Sequence, residues 1–259
     1  MQESTVSSIP IAETFDVGTA LEIGWKGYAK NFGMGTLLCF IGMLLLVAGF
    51  ISVVGIVFAV PHIGVGLGMV GYYMVRGPLK AGALFSGFSR YGAVLGAGWL
   101  IWLIVFGASL IFSAPYYYHL FKSIEGSSRI AERLLTAQLD PEMQGWMMLS
   151  YAAIPVQLYL QGRLMIVFPL IIEQRTGVFE AIAVSWRVTS KVHGYVFLYY
   201  LLVMLLTFVG VFVGIIALIV GMFFVIPFPM AAIGAAMQLL MNEGYPQWLA
   251  APQQQSPPN

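Results

Sequence analysis

Long apolar runs are the feature that most constrains this sequence. The run over 34–60, for example, contains no charged side chain. A helix needs about 20 apolar residues to cross a hydrocarbon core, where backbone polar groups cannot stay unpaired. We identify such runs over 34–60, 62–75, 91–112, 144–172, 195–220 and 222–241. The sequence therefore predicts an all-α, polytopic transmembrane helical bundle of about six spans, of which the second is short and glycine-rich.

Composition supports the same class and argues against others. Of the 259 residues, 59% are hydrophobic and 9% are charged, whereas a soluble domain has about 25% charged residues. The formal net charge of +1 gives no electrostatic attraction for nucleic acid, so we expect no nucleic-acid partner. Cys39 is the single cysteine, which excludes an intramolecular disulfide.

The placement of basic residues predicts the orientation. With both termini in the cytoplasm, most lysines and arginines lie at the inner ends of spans, as the positive-inside rule requires. The inner set is Lys26, Lys30, Arg76, Lys80, Arg90, Arg175, Arg187 and Lys191, and the outer set is Lys122, Arg129 and Arg133. We expect 1–14 to be a flexible N-terminus, 15–245 a single transmembrane domain, and 246–259 a disordered, proline- and glutamine-rich tail.

Two segments of the chain are similar to each other. ALEIGWKGYAKNFG begins at Ala20 and AIAVSWRVTSKVHG begins at Ala181. An ungapped alignment matches Trp25 with Trp186, Lys26 with Arg187, and Lys30 with Lys191. Apolar runs and interfacial tryptophans are common to membrane proteins, which is the alternative explanation. Because polar positions agree as well, we predict an internal repeat with units over about 17–78 and 178–246, with spans three and four between them. FSGFSRYG, from Phe85, is a weaker third copy.

Each copy of the repeat begins with a predicted amphipathic helix. In the first copy the apolar positions recur at helical steps, at Val17, Ala20, Leu21, Gly24, Tyr28 and Phe32, and the charged positions lie between them. Tryptophan and basic residues together favour the headgroup region of an anionic leaflet. The candidate interfacial lipid contacts are Trp25, Lys26, Lys30, Arg90, Trp186, Arg187 and Lys191. A structural elbow that orients the next span is the alternative interpretation of these helices.

No catalytic or metal-binding motif is recognisable. His62, His119 and His193 are far apart in the chain and none belongs to an HExxH pattern. The sequence also has no serine in a GxSxG elbow and no phosphate-binding GxxxxGK[ST] loop. We therefore expect a protein that is not an enzyme and that binds no cofactor and no metal ion.

Arg163 is the one charged residue predicted to lie deep within a span. An unpaired charge at that depth costs at least about 2.5 kcal/mol, so its side chain should face the bundle or a wet cavity. Helix-end carbonyl groups, lipid phosphate and nearby polar side chains are the partners that we consider. The candidate intramembrane polar site comprises Arg163, Gln157, Gln161 and Glu173, with either a structural or an anion-binding role.

Glycine and proline spacing adds two weaker predictions. Gly64 with Gly68, and Gly210 with Gly214, have the GxxxG spacing of close helix contacts. Pro61 is aligned approximately with Pro227 in the repeat. Such prolines either interrupt spans near a transport site or mark hairpin turns.

The order of these features resembles a bacterial group of membrane proteins. GWKGYAKNFG precedes the first span, RGPLKAG follows the second, and Arg163 leads into PLIIEQRTGVFEAIAVSWR and a glycine-rich final hairpin. Over 15–245 the chain resembles the integral membrane proteins related to the membrane domain fused to some glycerophosphoryl diester phosphodiesterases. The resemblance transfers no catalytic residue, because the phosphodiesterase barrel is absent from this sequence. It implies a bacterial inner-membrane location and a link to lipid or envelope processes.

Two functions are compatible with these observations. The first is a non-enzymatic membrane protein that binds lipid or a partner, as an accessory in membrane or envelope assembly or transport. The alternative is a small permease or channel for an anionic or amphiphilic solute, which the repeat, the prolines and Arg163 favour. The expected partners are membrane lipids and, in addition, another membrane protein or a second copy of this chain.

Overall fold

The computed structural model describes residues 12–125, 140–216 and 225–241, with side chains omitted over 213–216. These residues form helices and connecting turns and include no strand, which confirms the all-α fold. The α-helices are α1 (Val17–Lys30), α2 (Phe32–Phe50), α3 (Val60–Arg76), α4 (Tyr91–Ile124), α5 (Pro141–Tyr151), α6 (Ala153–Leu164), α7 (Val167–Glu173), α8 (Val178–Val188), α9 (His193–Ile216) and α10 (Pro227–Leu240). A π-helix over Gly55–Ala59 precedes α3, and a 3-10 helix over Ala81–Arg90 precedes α4.

Five helical segments in the described part of the chain are long and apolar enough to cross a membrane. They are Phe32–Phe50, Gly55–Arg76, Ala81–Ile124, Pro141–Glu173 and His193–Phe212. The sixth predicted span corresponds to α10, which has 14 residues where a span needs about 20. The residues over 217–224, where that span was expected to begin, lie outside the described part. The architecture is that of a membrane-spanning helical bundle.

The first predicted span is too long, because the chain turns earlier than the sequence indicated. α2 ends at Phe50, and Ser52 accepts a hydrogen bond from the backbone N–H of Gly55 at 2.9 Å. A Cβ atom on Gly55 would lie 2.2 Å from the Gly49 carbonyl oxygen, so this turn requires glycine. Pro61 therefore lies in the first turn of α3 and does not mark the hairpin turn. The turn consists mostly of apolar residues and glycine. The sequence over 34–60 therefore reads as one continuous apolar run, and the turn could not be predicted from it.

α1 begins at Val17, the first position of the predicted apolar stripe. The sequence has the spacing of a capping box at Thr19 and Glu22, but Asp16 is the N-cap, where its carboxylate accepts from Gly18 N at 2.9 Å. The Thr19 hydroxyl donates to Asp16 at 2.5 Å, and these hydrogen bonds lower the pKa of that carboxyl. The cap therefore stabilises α1 above the ordinary carboxyl range and weakens as the pH falls through the lowered pKa. Glu22 and Lys26 form the expected ion pair, at 2.6 Å.

Asn31 joins the end of α1 to the end of α3. Its side-chain amide donates to the carbonyl oxygens of Met74 at 2.9 Å and Gly77 at 3.1 Å, and its carbonyl oxygen accepts from Leu79 N at 2.8 Å. The residue is buried, so each of these groups replaces a lost contact with water. Asn31 thereby fixes the connection from α1 to α2 against the turn that follows α3.

By contacts the chain divides into two compact units, one containing residues up to Trp99 and from Gly162 onward, and one over 100–161. In the first unit the core lies where α3 crosses α1, α10 and the 3-10 helix. Small residues allow these crossings, because a Cβ atom on Gly66 would lie 1.8 Å from Leu84 O, and one on Gly71 would lie 2.0 Å from Met230 O. Backbones can therefore approach closely, as is typical of membrane helix interfaces.

The predicted GxxxG contact of Gly64 and Gly68 is wrong. No atom of the described residues lies within 4 Å of a Cβ built on either glycine, so both face open space. The glycines at the contact are Gly66 and Gly71 on the same helix. Gly210 does meet another segment, since its Cβ would lie 2.1 Å from Val225 Cγ1. The GxxxG spacing correctly indicated that glycines allow close helix packing. It did not identify the face of α3 that packs against other helices.

The second unit contains its own polar and aromatic contacts. Gln157 donates to the hydroxyl of Ser109 at 2.7 Å, and Ser109 donates to the Val105 carbonyl oxygen at 2.7 Å. The rings of His119 and Trp146 are stacked with centroids 5.1 Å apart. The hydrogen bond joins α4 to Gln157 within otherwise apolar helices, and the stacked rings join α4 to α5.

Among the residues that the structure describes, the two copies of the predicted repeat have the same order of α-helices. The order in each is a short helix, a long apolar helix and a shorter helix, namely α1, α2 and α3, then α8, α9 and α10. The weaker third copy, over 85–92, covers the end of the 3-10 helix and the start of α4, and the 3-10 helix buries Ala83, Leu84 and Gly87. Of these, Leu84 and Gly87 lie against the α3 backbone at Gly66 and at His62. The repeat itself stays a prediction.

Candidate functional site

Arg163 is buried and is held by the end of a neighbouring helix. Only 4% of the residue is exposed. Its Nη2 donates to the Trp186 carbonyl oxygen at 2.8 Å, and its guanidinium lies 4.2 Å from the centroid of the Trp186 ring. Ser185 donates to the Arg163 carbonyl oxygen at 2.7 Å. A cation at the C-terminal carbonyls of α8 is favourable because the helix dipole is negative there.

The other three residues of the candidate polar site have separate settings. Gln157 donates to Ser109, and Gln161 is exposed. Glu173 accepts hydrogen bonds from the Tyr73 hydroxyl and from Arg76, the latter at 3.4 Å. A helix-end carbonyl, that of Trp186, was among the partners that we considered for Arg163, and the structure shows this contact.

The candidate interfacial residues lie mostly at exposed positions of short helices. Trp25 on α1 is 57% exposed and Trp186 on α8 is 44% exposed. Lys26 and Lys30 are half-buried on α1, and Arg187 and Lys191 are exposed at and after the end of α8. One edge of Trp25 packs on Phe228, with ring centroids 5.7 Å apart. Contact of these side chains with lipid stays a prediction.

A cleft with two arginines lies between the 3-10 helix and the turn after α7. It has a volume of about 430 Å³ and is lined by Ser89, Arg90, Ile172 and Arg175. A volume of this size is within the usual range of ligand pockets. Arg90 was predicted as an interfacial lipid contact and Arg175 only as an inner-side residue. The two are 85 positions apart in the chain, which gave no signal that they share a cleft.

The two arginines of the cleft are positioned in different ways. Arg90 donates to the Thr176 carbonyl oxygen at 3.4 Å, which ties the end of the 3-10 helix to the turn. Arg175 has φ of 57° and is the only non-glycine residue of the described part in the left-handed region. It follows the C-cap of α7, where glycine or asparagine is the usual residue. Arg175 thus lines the cleft although its backbone conformation disfavours residues other than glycine.

The electrostatics of the cleft favour an anion. The nearest carboxylate in sequence, that of Glu173, already accepts from Tyr73 and Arg76. The Ser89 hydroxyl donates to the Ser86 carbonyl oxygen at 2.7 Å, so the arginines are the donors available to a ligand. No group of three or more potential metal ligands occurs among the described residues. Paired guanidinium groups recognise carboxylate and phosphate oxygens by bidentate hydrogen bonds.

Comparisons of this chain with protein-family models, with curated proteins and with solved structures found no match. The resemblance to the membrane domain of some phosphodiesterases therefore stays a prediction.

Proposed function

We propose that this chain is a non-enzymatic integral membrane protein that binds anionic lipid at the ends of its helices. In this role it serves as an accessory in membrane or envelope assembly or transport. One observation carries the proposal. An exposed tryptophan stands with half-buried lysines on α1 and with exposed basic side chains at the end of α8, and each of these short helices leads directly into a long apolar helix.

The apolar surface of the long helices supports the membrane part of the proposal. Large hydrophobic side chains are exposed along α2, α4 and α9, for example Leu44, Leu103 and Phe208. In water such a surface would drive aggregation, whereas acyl chains cover it without cost. The short helices at their ends then lie where lipid headgroups are found.

The basic residues support the preference for anionic lipid. Each lysine or arginine near an anionic surface adds about 1 kcal/mol of attraction. Tryptophan rings favour the same depth because they combine an apolar body with a polar N–H group. The two tryptophans and their neighbouring cations therefore select the same layer of the bilayer.

The burial of Arg163 weighs against the permease alternative. A residue that binds a passing anion has to be reachable from a solvated pathway, and its donors have to be free to exchange partners. Arg163 is 4% exposed and its guanidinium donates to the Trp186 carbonyl oxygen. We therefore assign Arg163 a structural role and prefer the lipid-binding function.

Lipid retention tests the proposed function. Wild-type protein extracted from bacterial membranes is expected to retain anionic phospholipid above its share of the membrane, measured by quantitative lipid mass spectrometry. The triple variant Lys30→Gln/Arg187→Gln/Lys191→Gln is expected to lose this excess several-fold, because three attractive charges are removed.

The matched control removes the same number of charges elsewhere. Lys122→Gln/Arg129→Gln/Arg133→Gln changes basic residues predicted to lie on the outer side. It is expected to retain the wild-type excess of anionic lipid. Equal retention by both triple variants, or no excess in the wild type, would contradict the proposed function.

A further inference from the structure

We propose that the cleft between Arg90 and Arg175 is a binding site for a phosphate group. The inference deepens the proposed lipid binding, on which it rests, by giving it one defined site in place of a diffuse surface. A lipid headgroup and free inorganic phosphate present the same group, so the shared chemistry is what the site recognises. The site differs from the charged ends of α1 and α8, because its donors converge on a cleft.

The donors match the proposed ligand. Arg90 and Arg175 both line a cleft of about 430 Å³, which has room for a phosphate group and the atoms attached to it. Arg90 is half-buried and is positioned by its hydrogen bond to the Thr176 carbonyl oxygen. Arginine has five N–H donors in a planar arrangement, so it can use some for position and others for a ligand.

The charge in the cleft is not neutralised by a neighbour. Among the residues that the structure describes, the Arg175 guanidinium makes no hydrogen bond or ion pair. The carboxylate of Glu173 is engaged by Tyr73 and Arg76, the latter through an ion pair at 3.4 Å. Two cations at one cleft repel each other, and an anion between them removes that repulsion.

The backbone at Arg175 supports the same inference. Glycine is the favoured residue at φ of 57° after a helix, and it would end α7 with less strain. Strained residues of this kind cluster at ligand sites, where the side chain is worth its conformational cost. The observed arginine adds a donor at the rim of the cleft, which glycine would lack.

Neighbouring aromatic residues favour a lipid as the source of the phosphate. Phe85, Phe88 and Tyr91 are exposed and flank Arg90 in the chain. An acyl chain that leaves a bound headgroup would find apolar surface beside it. A soluble phosphate would make no use of these rings.

The test measures binding of three probes to the full-length protein in phosphatidylcholine nanodiscs. The probes are dioctanoyl phosphatidic acid, dioctanoyl phosphatidylcholine and inorganic phosphate. Wild-type protein is expected to bind the phosphatidic acid at least tenfold more tightly than the phosphatidylcholine. Arg90→Gln, which removes the guanidinium, and Arg175→Gly are each expected to weaken phosphatidic acid binding at least tenfold.

Lys122→Gln serves as the matched control, because it removes one exposed basic residue that belongs neither to the cleft nor to the proposed lipid-binding ends of α1 and α8. It is expected to bind phosphatidic acid within twofold of wild type. Arg175→Gly is expected to unfold at the wild-type temperature or above it, because glycine fits the left-handed backbone. A loss of binding in this variant therefore cannot be ascribed to misfolding.

Each outcome decides between sources or rejects the site. Tight phosphatidic acid binding with weak inorganic phosphate binding assigns the site to lipid, and equal affinities assign it to free phosphate. No binding of either probe, or equal loss in Lys122→Gln, overturns the proposal. If the cleft variants bind normally while the triple variant at Lys30, Arg187 and Lys191 loses lipid, the proposed function stands and this site is rejected.

Discussion

Gly71→Ala is expected to destabilise the folded protein by about 3 kcal/mol. The added Cβ atom would lie 2.0 Å from the Met230 carbonyl oxygen. Backbone atoms cannot rotate away as a side chain can, so α3 and α10 would have to separate. Gly234, whose Cβ would lie 2.3 Å from the Gly71 carbonyl carbon, marks the same crossing from the other side. Thermal unfolding of the detergent-solubilised protein measures the loss.

Gly68→Ala is the matched control for this prediction. Gly68 lies on the same helix, and no described atom is within 4 Å of a Cβ built there. Alanine also favours a helix over glycine by about 1 kcal/mol. We expect unfolding at or above the wild-type temperature for this variant. If Gly68→Ala were as destabilising as Gly71→Ala, the assigned packing face of α3 would be wrong.

Arg163→Ala is expected to destabilise the protein by about 2 to 4 kcal/mol. It removes a hydrogen bond from a charged donor, worth about 1.5 to 3 kcal/mol, and a cation–π contact worth about 0.5 to 2 kcal/mol. Both contacts join α6 to Trp186 at the end of α8. The variant buries no guanidinium, so it avoids the free-energy cost of desolvating that group. This gain offsets part of the loss. Thermal unfolding followed by tryptophan fluorescence reports the change.

Arg163→Lys separates structure from ligand binding at this position. Lysine keeps the charge and one donor, but it lacks the planar group that lies over the indole ring. We expect a stability between those of wild type and Arg163→Ala, with unchanged affinity for phosphatidic acid. An Arg163→Ala protein with wild-type stability and lost anion binding would instead return Arg163 to the role of a ligand site.

The sequence predicted the helices well because their signals are local. Apolar runs of membrane length predict helices wherever they occur, and Glu22 with Lys26 form a pair that depends only on helical spacing. The turn after Phe50 escaped prediction because it is built from apolar residues and glycines. Local spacing likewise gave GxxxG pairs but not the face of α3 that packs, which α10 and the 3-10 helix decide.

The candidate site depended on long-range contacts, so the sequence predicted less of it. Burial of Arg163 followed from its place in an apolar run, and a helix-end carbonyl was among its expected partners. Which helix supplied that carbonyl could not be read from spacing. The cleft residues Arg90 and Arg175 come together because the 3-10 helix packs near the turn after α7. The left-handed backbone at Arg175 could not be predicted either, because glycine and asparagine are the residues that indicate this conformation after a helix and arginine is not.

Membrane topology tests the central claim most directly, because one basic surface on one side of the bilayer underlies both proposals. The chain has a single cysteine, so Cys39→Ala gives a cysteine-free background. Single cysteines at the exposed positions Ala29, Lys80 and Ser190, and at Gln144 on the predicted outer side, are then labelled with a membrane-impermeant maleimide in intact cells and in inverted vesicles. We predict labelling of the first three positions only in inverted vesicles and of Gln144 only in intact cells. Labelling of Ala29 and Ser190 from opposite sides would contradict the account.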